Sequence, residues 1–372
     1  MRRRITIFVA VIQSILFAGH WLVYETVAAF LITDTPRGPL GISALAWTFL
    51  LLSVSFVAAS LLAWRYTNPL MRAFYSAAAI WLAFFNFLFF AACACWAIYG
   101  ISRVFRWQID GRLLAAISFA AALAAGIYGI ANAAWLRVKR VSVQLPGLPE
   151  SWRGRVAALV SDTHLGHVRG VGFIRRIVAL LNRAKPDIVF LAGDVFDGTA
   201  VNAEKVVSPF RGIAAPLGTY FVTGNHEEFR DSSPYIAAIA KAGVRVLKNE
   251  KVTVDGLQIV GVFYHESTWE PRLQEILQAA SIDRARASIL ISHEPRHLAV
   301  AEREGISLQV SGHTHGGQMI PWTRFASRIF GRFVHGLQRF EQMLVYTSYG
   351  AGTWGPPARV GTYAEIVLIE FE

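Results

Sequence analysis

Five short clusters beyond residue 150 carry side chains that can hold metal ions. They read Asp162-Thr-His164, Asp194-Val-Phe-Asp197, Asn225-His226-Glu227, the single His293, and His313-Thr-His315. Carboxylate, imidazole and carboxamide donors suit Mn²⁺, Fe²⁺ or Zn²⁺, and the donor types do not choose among the three. The two cysteines, Cys93 and Cys95, stand in a distant apolar run. Two apart in a helix, they point to different sides and do not bridge. A lone Asp-x-His or Gly-Asp carries little weight, because such residues also suit loops. Five polar tips, each with a good ligand type, point to a metal site.

The elements that must position these residues are strands. Val156–Ser161, Ile188–Ala192, Tyr220–Thr223, Ile289–Ser292 and Leu308–Ser311 are apolar runs too short for helices, and each ends in one of the clusters. Near-continuous apolar strands are buried on both faces, which implies an α/β layered domain. Open α/β sheets gather ligands at the carboxyl ends of their strands, so the five tips are expected to converge.

In their order and with their flanking glycines, Asp162-x-His164, Gly193-Asp194-x-x-Asp197, Gly224-Asn225-His226-Glu227, His293 and Gly312-His313-x-His315 resemble the signature of the calcineurin-like metallophosphoesterases. The resemblance covers roughly residues 150–372. The run Gly312-His-Thr-His-Gly-Gly-Gln318, with Pro357-Ala-Arg359 and Ala364-Glu-Ile366, is similar to a bacterial membrane-associated phosphodiesterase subgroup. The resemblance also extends to multipass transmembrane proteins with a metallophosphoesterase domain, and to the lipid A pathway's UDP-diacylglucosamine pyrophosphate hydrolases. It implies a layered β-sandwich flanked by helices and two divalent metal ions. One ion would take Asp162, His164, Asp194 and His315, the other Asp194, Asn225, His293 and His313. Asp194 would bridge, since a bridge needs two oxygens. Cations about 3.5–4 Å apart clamp an in-line displacement, and water between them ionises near neutral pH. His226 would protonate or stabilise the leaving group. Asp197 and Glu227 read equally well as orienters of ligand imidazoles and as helix-start carboxylates. Two departures stand out: Glu227 where many relatives have Asp, and Phe263-Tyr264-His265 where the subgroup often has an acidic pair. Neither is expected to touch the ligands. His167, His265, His297 and His335 read as ordinary surface or loop histidines.

The first 140 residues differ in kind. They hold twelve Lys/Arg, three Asp/Glu and +9 of the net +11 charge. Four apolar stretches are long enough to cross a bilayer: Ile5 to Tyr24 or Ile32, Pro39–Trp64, Ala73–Tyr99 and Leu113–Leu136. The basic residues flank them, which suggests membrane anchoring, so no nucleic-acid partner is expected. Arg2, Arg3, Arg4, Arg65, Arg72, Arg137, Lys139 and Arg140 outnumber Arg37, Arg103, Arg106 and Arg112 on the other side, placing both termini in the cytoplasm. Of the two polar groups in the first stretch, His20 is expected to pack internally and Glu25 to sit near the interface. Gly126 and Gly129 permit close helix packing.

These readings combine into an N-terminal all-α transmembrane bundle (residues 1–140), a linker (141–150) and an α/β metallophosphoesterase domain (151–372). The expected function is hydrolysis of a phosphodiester or pyrophosphate in a phosphorylated small molecule or lipid, by a multi-pass protein of a bacterial inner membrane with its catalytic domain in the cytoplasm. The alternative is a non-catalytic membrane scaffold; a transporter is third, for lack of paired internal charges. One further segment, 322–340, places Trp322, Phe325, Ile329, Phe330 and Phe333 as a helical stripe interleaved with Arg324, Arg328, Arg332 and Arg339. An interfacial element fits that pattern. Packing of the stripe onto its own domain is the slightly favoured reading.

Overall fold

The structure, a computed structural model, describes residues 2–32 and 39–372. Asp34 and Arg37 of the charge count lie outside the described residues. Two compact units divide near Ala131.

The first unit contains α1 (Arg2–Thr26), continued by a π-helical turn over Val27–Leu31, then α2 (Pro39–Ala63), α3 (Pro69–Val104) and α4 (Gly111–Ala134). Among the described residues these four are long and apolar enough to cross a membrane. Starts are set locally. Asn68 accepts the Met71 N–H ahead of Pro69, and Asp110 accepts from Arg112 and Leu113. His20 packs internally as expected: Nδ1 donates to the Leu16 carbonyl, Nε2 accepts from Trp81, and the ring stacks on Phe85 at 3.8 Å. A Cβ at Gly126 would lie 2.4 Å from the Phe84 ring, so glycine there lets α4 approach α3 closely.

The second unit, Asn132–Trp354 with Arg359–Glu372, holds two six-stranded sheets. Its strands are β1 (Leu136–Val143), β2 (Val156–Val160), β3 (Ile188–Ala192), β4 (Thr219–Val222), β5 (Arg245–Val246), β6 (Glu250–Val254), β7 (Leu257–Gly261), β8 (Ser288–Ile291), β9 (Leu308–Ser311), β10 (Gly336–Phe340), β11 (Met343–Thr347) and β12 (Ala364–Phe371). One sheet runs β1-β12-β2-β3-β4-β5, the other β10-β11-β9-β8-β7-β6. β2 to β5 are parallel, as are β7, β8, β9 and β11.

Alternation along the strands builds three apolar layers. Leu159, Phe190 and Val222 meet Ile259, Ile289 and Val310 between the sheets. Val160, Leu191 and Phe221 face the helix Val171–Ala184 through Ile174, Ile177 and Leu181. Val260, Leu290 and Val345 face Leu273, Ile276 and Leu298 on the far side. This is a β-sandwich flanked by helices, and it explains the continuous hydrophobicity: both faces of each central strand are covered. Burying each Leu or Phe contributes about 1.5–3 kcal/mol.

The fold corrects the expected boundary. The strand β1 starts at Leu136, two residues after α4 ends, and pairs in parallel with β12 over its whole length. Residues 136–143 therefore belong to the folded domain, and the 141–150 linker shortens to the turn after Val143. Arg137, Lys139 and Arg140 are residues of this strand; Arg137 and Lys139 lie over the Tyr363 ring and Arg140 pairs with Glu370. The stripe is corrected too. In the helix Trp322–Phe330 only Ala326 is buried, while Trp322, Phe325 and Ile329 are exposed. Phe333 lies apart, packed on Phe340.

Candidate metal centre

Backbone conformation brings the ligand types together. The loops after β2, β3 and β9 turn so sharply that Asp162, His164, Asp194, His313 and His315 all take positive φ, between 46° and 69°. Left-handed non-glycine residues cost about 1–3 kcal/mol each and gather where function requires them. Two glycines let the loops close. A Cβ at Gly224 would stand 2.2 Å from Asp194 Oδ1, and one at Gly312 would stand 2.2 Å from Asp162 Oδ2.

The side chains lie close together. His164 Nε2 lies 2.9 Å from His315 Nε2, and His315 Nε2 lies 3.4 Å from Asp162 Oδ1. His293 Nε2 is 3.1 Å from Asp194 Oδ2, and His313 Nδ1 is 3.3 Å from His293 Nε2 and 3.0 Å from Asn225 Oδ1. Asp194 Oδ2 also lies 3.8 Å from His164 Nε2. Three groups of ligand atoms fall within metal-holding distance: Asp162, His164 and His315; His164, Asp194 and His226; Asp194, His293 and His313. Asp194 is in two of them.

The donors fit divalent cations. Two imidazole nitrogens facing at 2.9 Å share at most one proton, whereas a cation satisfies both lone pairs. Burial pushes His164 and His315 well below the usual histidine range and His313 down to about 3, so these rings are neutral and present lone pairs. Burial raises Asp162 to about 6. Burial also opposes charge on Asp194, but His293 above all outweighs it and holds the carboxyl low. His293 is pushed up to about 10, since Asp194 and Asp162 overcome its burial. Buried carboxylates thus draw positive charge into the site, as ligands of a cation do.

Residues 156–317 match the calcineurin-like phosphoesterase family. The second unit holds a calcineurin-like metallophosphoesterase domain. An uncharacterized metallophosphoesterase of Campylobacter jejuni is 29% identical over 241 residues, 63% of each chain. A transmembrane protein with metallophosphoesterase domain from Danio rerio is 31% identical over 65% of this chain and 59% of its own. An uncharacterized metallophosphoesterase of Aquifex aeolicus is 29% identical over 66% of this chain and 95% of its own. The chain thus spans about six tenths of the first two relatives and nearly all of the third.

Around these candidate ligands of the metallophosphoesterase domain, the structure separates residues that the sequence leaves ambiguous. His226 Nδ1 donates to the Asp197 main-chain carbonyl at 2.8 Å, which turns Nε2 toward Asp194, 3.9 Å away. Glu227 touches no imidazole in its hydrogen bonds. It accepts the N–H groups of Asp194, Phe196 and Gly224, clamping two metal loops together, and burial raises its pKa to about 8. The Asp197 carboxylate accepts from Thr199. Neither carboxylate orients a ligand ring; the Ala192 carbonyl does so for His293. Tyr264 corrects another expectation, for its ring centroid lies 6.0 Å from both His293 and His313. His167 and His335 stand in loops, but they face inward: His167 is buried against Thr199, and His335 stacks on Tyr349 and meets Glu365.

The role of Arg359 escaped the sequence reading, although the run Pro357-Ala-Arg359 carried part of the resemblance. Fully buried, it donates to the carbonyls of Tyr349, Gly350 and Gly352 and reaches His315. It ties the last loop of the domain to the metal loop.

Proposed function

We propose that this chain is a membrane-anchored, metal-dependent phosphoesterase that cleaves a phosphodiester or pyrophosphate bond in a lipid or cell-envelope substrate. The single observation that carries the reading is Asp194, a buried carboxylate shared by two of the three ligand groups. Asp162, His164 and His315 would complete one cation site around it, and Asn225, His293 and His313 the other. When bound, two divalent cations lower the pKa of water and neutralise charge on the phosphoryl oxygens.

The chain's own residues supply the rest. The neutral carboxamide of Asn225 keeps the site from repelling an anionic phosphate. His226, fixed through Nδ1, keeps Nε2 for the leaving group. In the proposed reaction, water oxygen forms the new bond to phosphorus and the leaving P–O bond breaks. The His226 imidazolium gives its Nε2 proton to the departing oxygen, and a proton released by the attacking water restores it. General acid–base help of this kind is worth about 10²–10⁴ in rate.

The four apolar helices would cross a bacterial inner membrane with both termini in the cytoplasm. A reporter active only outside the cytoplasm, fused after Glu372, should stay silent; a strong signal reverses the orientation.

Purified full chain, stripped with a chelator and reloaded with Mn²⁺, Fe²⁺ or Zn²⁺, tests the activity. Phosphomonoesters, phosphodiesters and lipid pyrophosphates are the substrates to compare. Hydrolysis should vanish on stripping and return on reloading. Metal binding without hydrolysis of any of them would favour the scaffold reading.

A further inference from the structure

The helix Trp322–Phe330 has a face that no soluble domain needs. Trp322, Phe325 and Ile329 are 48%, 51% and 72% exposed, with Ile320 just ahead at 50%. Arg324, Arg328 and Arg332 on the same segment are exposed as well. Between Glu304 and Glu341 there is no acidic residue. Large apolar side chains clustered with cations match a surface that is oily inside and negative outside, which is an anionic bilayer. The chain supplies such a surface, since Trp135 alone separates the membrane-type helix α4 from β1.

The same helix borders the metal centre. It starts five residues after the last loop glycine, Gly317, and at its other end the Phe330 ring edges His313 at 6.1 Å. A second apolar feature surrounds His226. Phe229 and Trp354 are both exposed, and their rings lie 4.5 and 5.9 Å from the His226 ring. Gln318, from the metal loop, holds the Trp354 backbone through both its amide atoms. Exposed tryptophan and phenylalanine rings beside His226 suit a phosphate attached to acyl chains.

We propose that the helix Trp322–Phe330 lies on the anionic bilayer in which the chain is anchored, and that the site takes a lipid-borne phosphodiester or pyrophosphate directly from that surface. The proposal rests on the phosphoesterase reading above and narrows its substrate class. It requires hydrolysis to depend on the exposed stripe only when the phosphate is embedded in lipid. Trp322, Phe325 and Ile329 touch none of the assigned ligands, so their loss leaves the chemistry on a soluble ester intact.

Two measurements on the full chain in nanodiscs test it. In the first, Cys93 and Cys95 are replaced by alanine and Ile329→Cys carries an environment-sensitive fluorophore. Doxyl-labelled lipid should quench the probe, and more strongly with phosphatidylglycerol than with phosphatidylcholine alone. In the second, the Mn²⁺-loaded enzyme meets two diesters with one leaving group: dioleoylphosphatidyl-p-nitrophenol in the disc and bis(p-nitrophenyl) phosphate in solution. Replacing Trp322, Phe325 and Ile329 by serine should lower the lipid rate roughly tenfold or more and leave the soluble rate within about twofold. A water-exposed probe, or lipid and soluble rates that fall equally, overturns the proposal while the phosphoesterase reading stands. Shielding only in discs holding two copies assigns the face to a second chain and also overturns it. A shielded probe with neither diester hydrolysed rejects the phosphoesterase reading, and with it the substrate class.

Discussion

Between Ser311 and Phe330 the chain passes from a loop in which His315 is buried to a helix in which Trp322, Phe325 and Ile329 are exposed. The two segments are neighbours in sequence, and both invert the ordinary sorting of polar and apolar residues. In the loop the inversion carries backbone strain, since His313 and His315 both have positive φ. In the helix the inversion is confined to side chains, for the segment has regular geometry and a buried Ala326 facing the domain. A buried polar cluster costs free energy unless something compensates the charge, whereas an exposed apolar stripe costs little until it meets a partner. The first therefore fits a cation that would compensate the buried donors, and the second the lipid surface proposed above.

The largest effect should come from the charge at the centre of the buried cluster. In the proposed centre Asp194→Asn would remove one of two bridging oxygens and the negative charge that offsets the cations, so hydrolysis should fall below detection and both metals should weaken. Metal analysis by mass spectrometry alongside a diester assay checks this. Full activity with two bound ions would separate the strained loops from metal chemistry and undo the contrast.

His226 sits in the same pocket yet should behave differently. His226→Gln should keep both ions and lower the rate by about 10²–10⁴. The loss should shrink as the leaving group becomes more acidic, because less protonation is needed. Since His226 also lies within ligand reach of His164 and Asp194, loss of an ion in this variant would make it a ligand instead of an acid.

Arg359 offers a test by stability. Arg359→Met leaves several buried carbonyls without a donor, at about 1–3 kcal/mol for each group left unsatisfied. Summed with loss of the contact to His315, a destabilisation of about 3 kcal/mol is expected, read as a fall in the chemical-denaturation midpoint. An unchanged midpoint would mean that the last loop is held by other contacts.

The legibility of these features follows their range in sequence. The candidate ligands were readable because each cluster follows the carboxyl end of an apolar strand, and Asp194, Asn225, His313 and His315 stand beside a glycine. Five of the twelve strands were readable for the same reason, being buried on both faces. The strand β1 was not, because its charged residues abut α4 and resemble a membrane flank. Glu227 acts through N–H groups up to 33 residues away, and main-chain contacts leave no trace in residue type. The Arg359 side chain likewise spends its donors on carbonyls. For the stripe, spacing gave the periodicity of the helix but not the direction it faces, so Phe325 and Phe333 looked alike.

That last pair gives the smallest and most discriminating effect. Phe325 is about half exposed, and Phe333 packs on Phe340 beside the outer core. Truncating a well-packed phenylalanine costs about 3–5 kcal/mol, and the partial burial of Phe333 places Phe333→Ala toward the lower end. Phe325→Ala removes mainly water-facing area, and surface changes of this kind stay within about 0.5 kcal/mol. For a domain of this size a kilocalorie moves the melting point by about 2–4 °C, so the two variants should differ by several degrees in a thermal scan of the full chain. Equal losses would mean that Phe325 is core after all, and the stripe would then hold the domain together instead of facing lipid. A loss confined to Phe333 leaves the exposed face with no role in stability, which is what a docking surface requires.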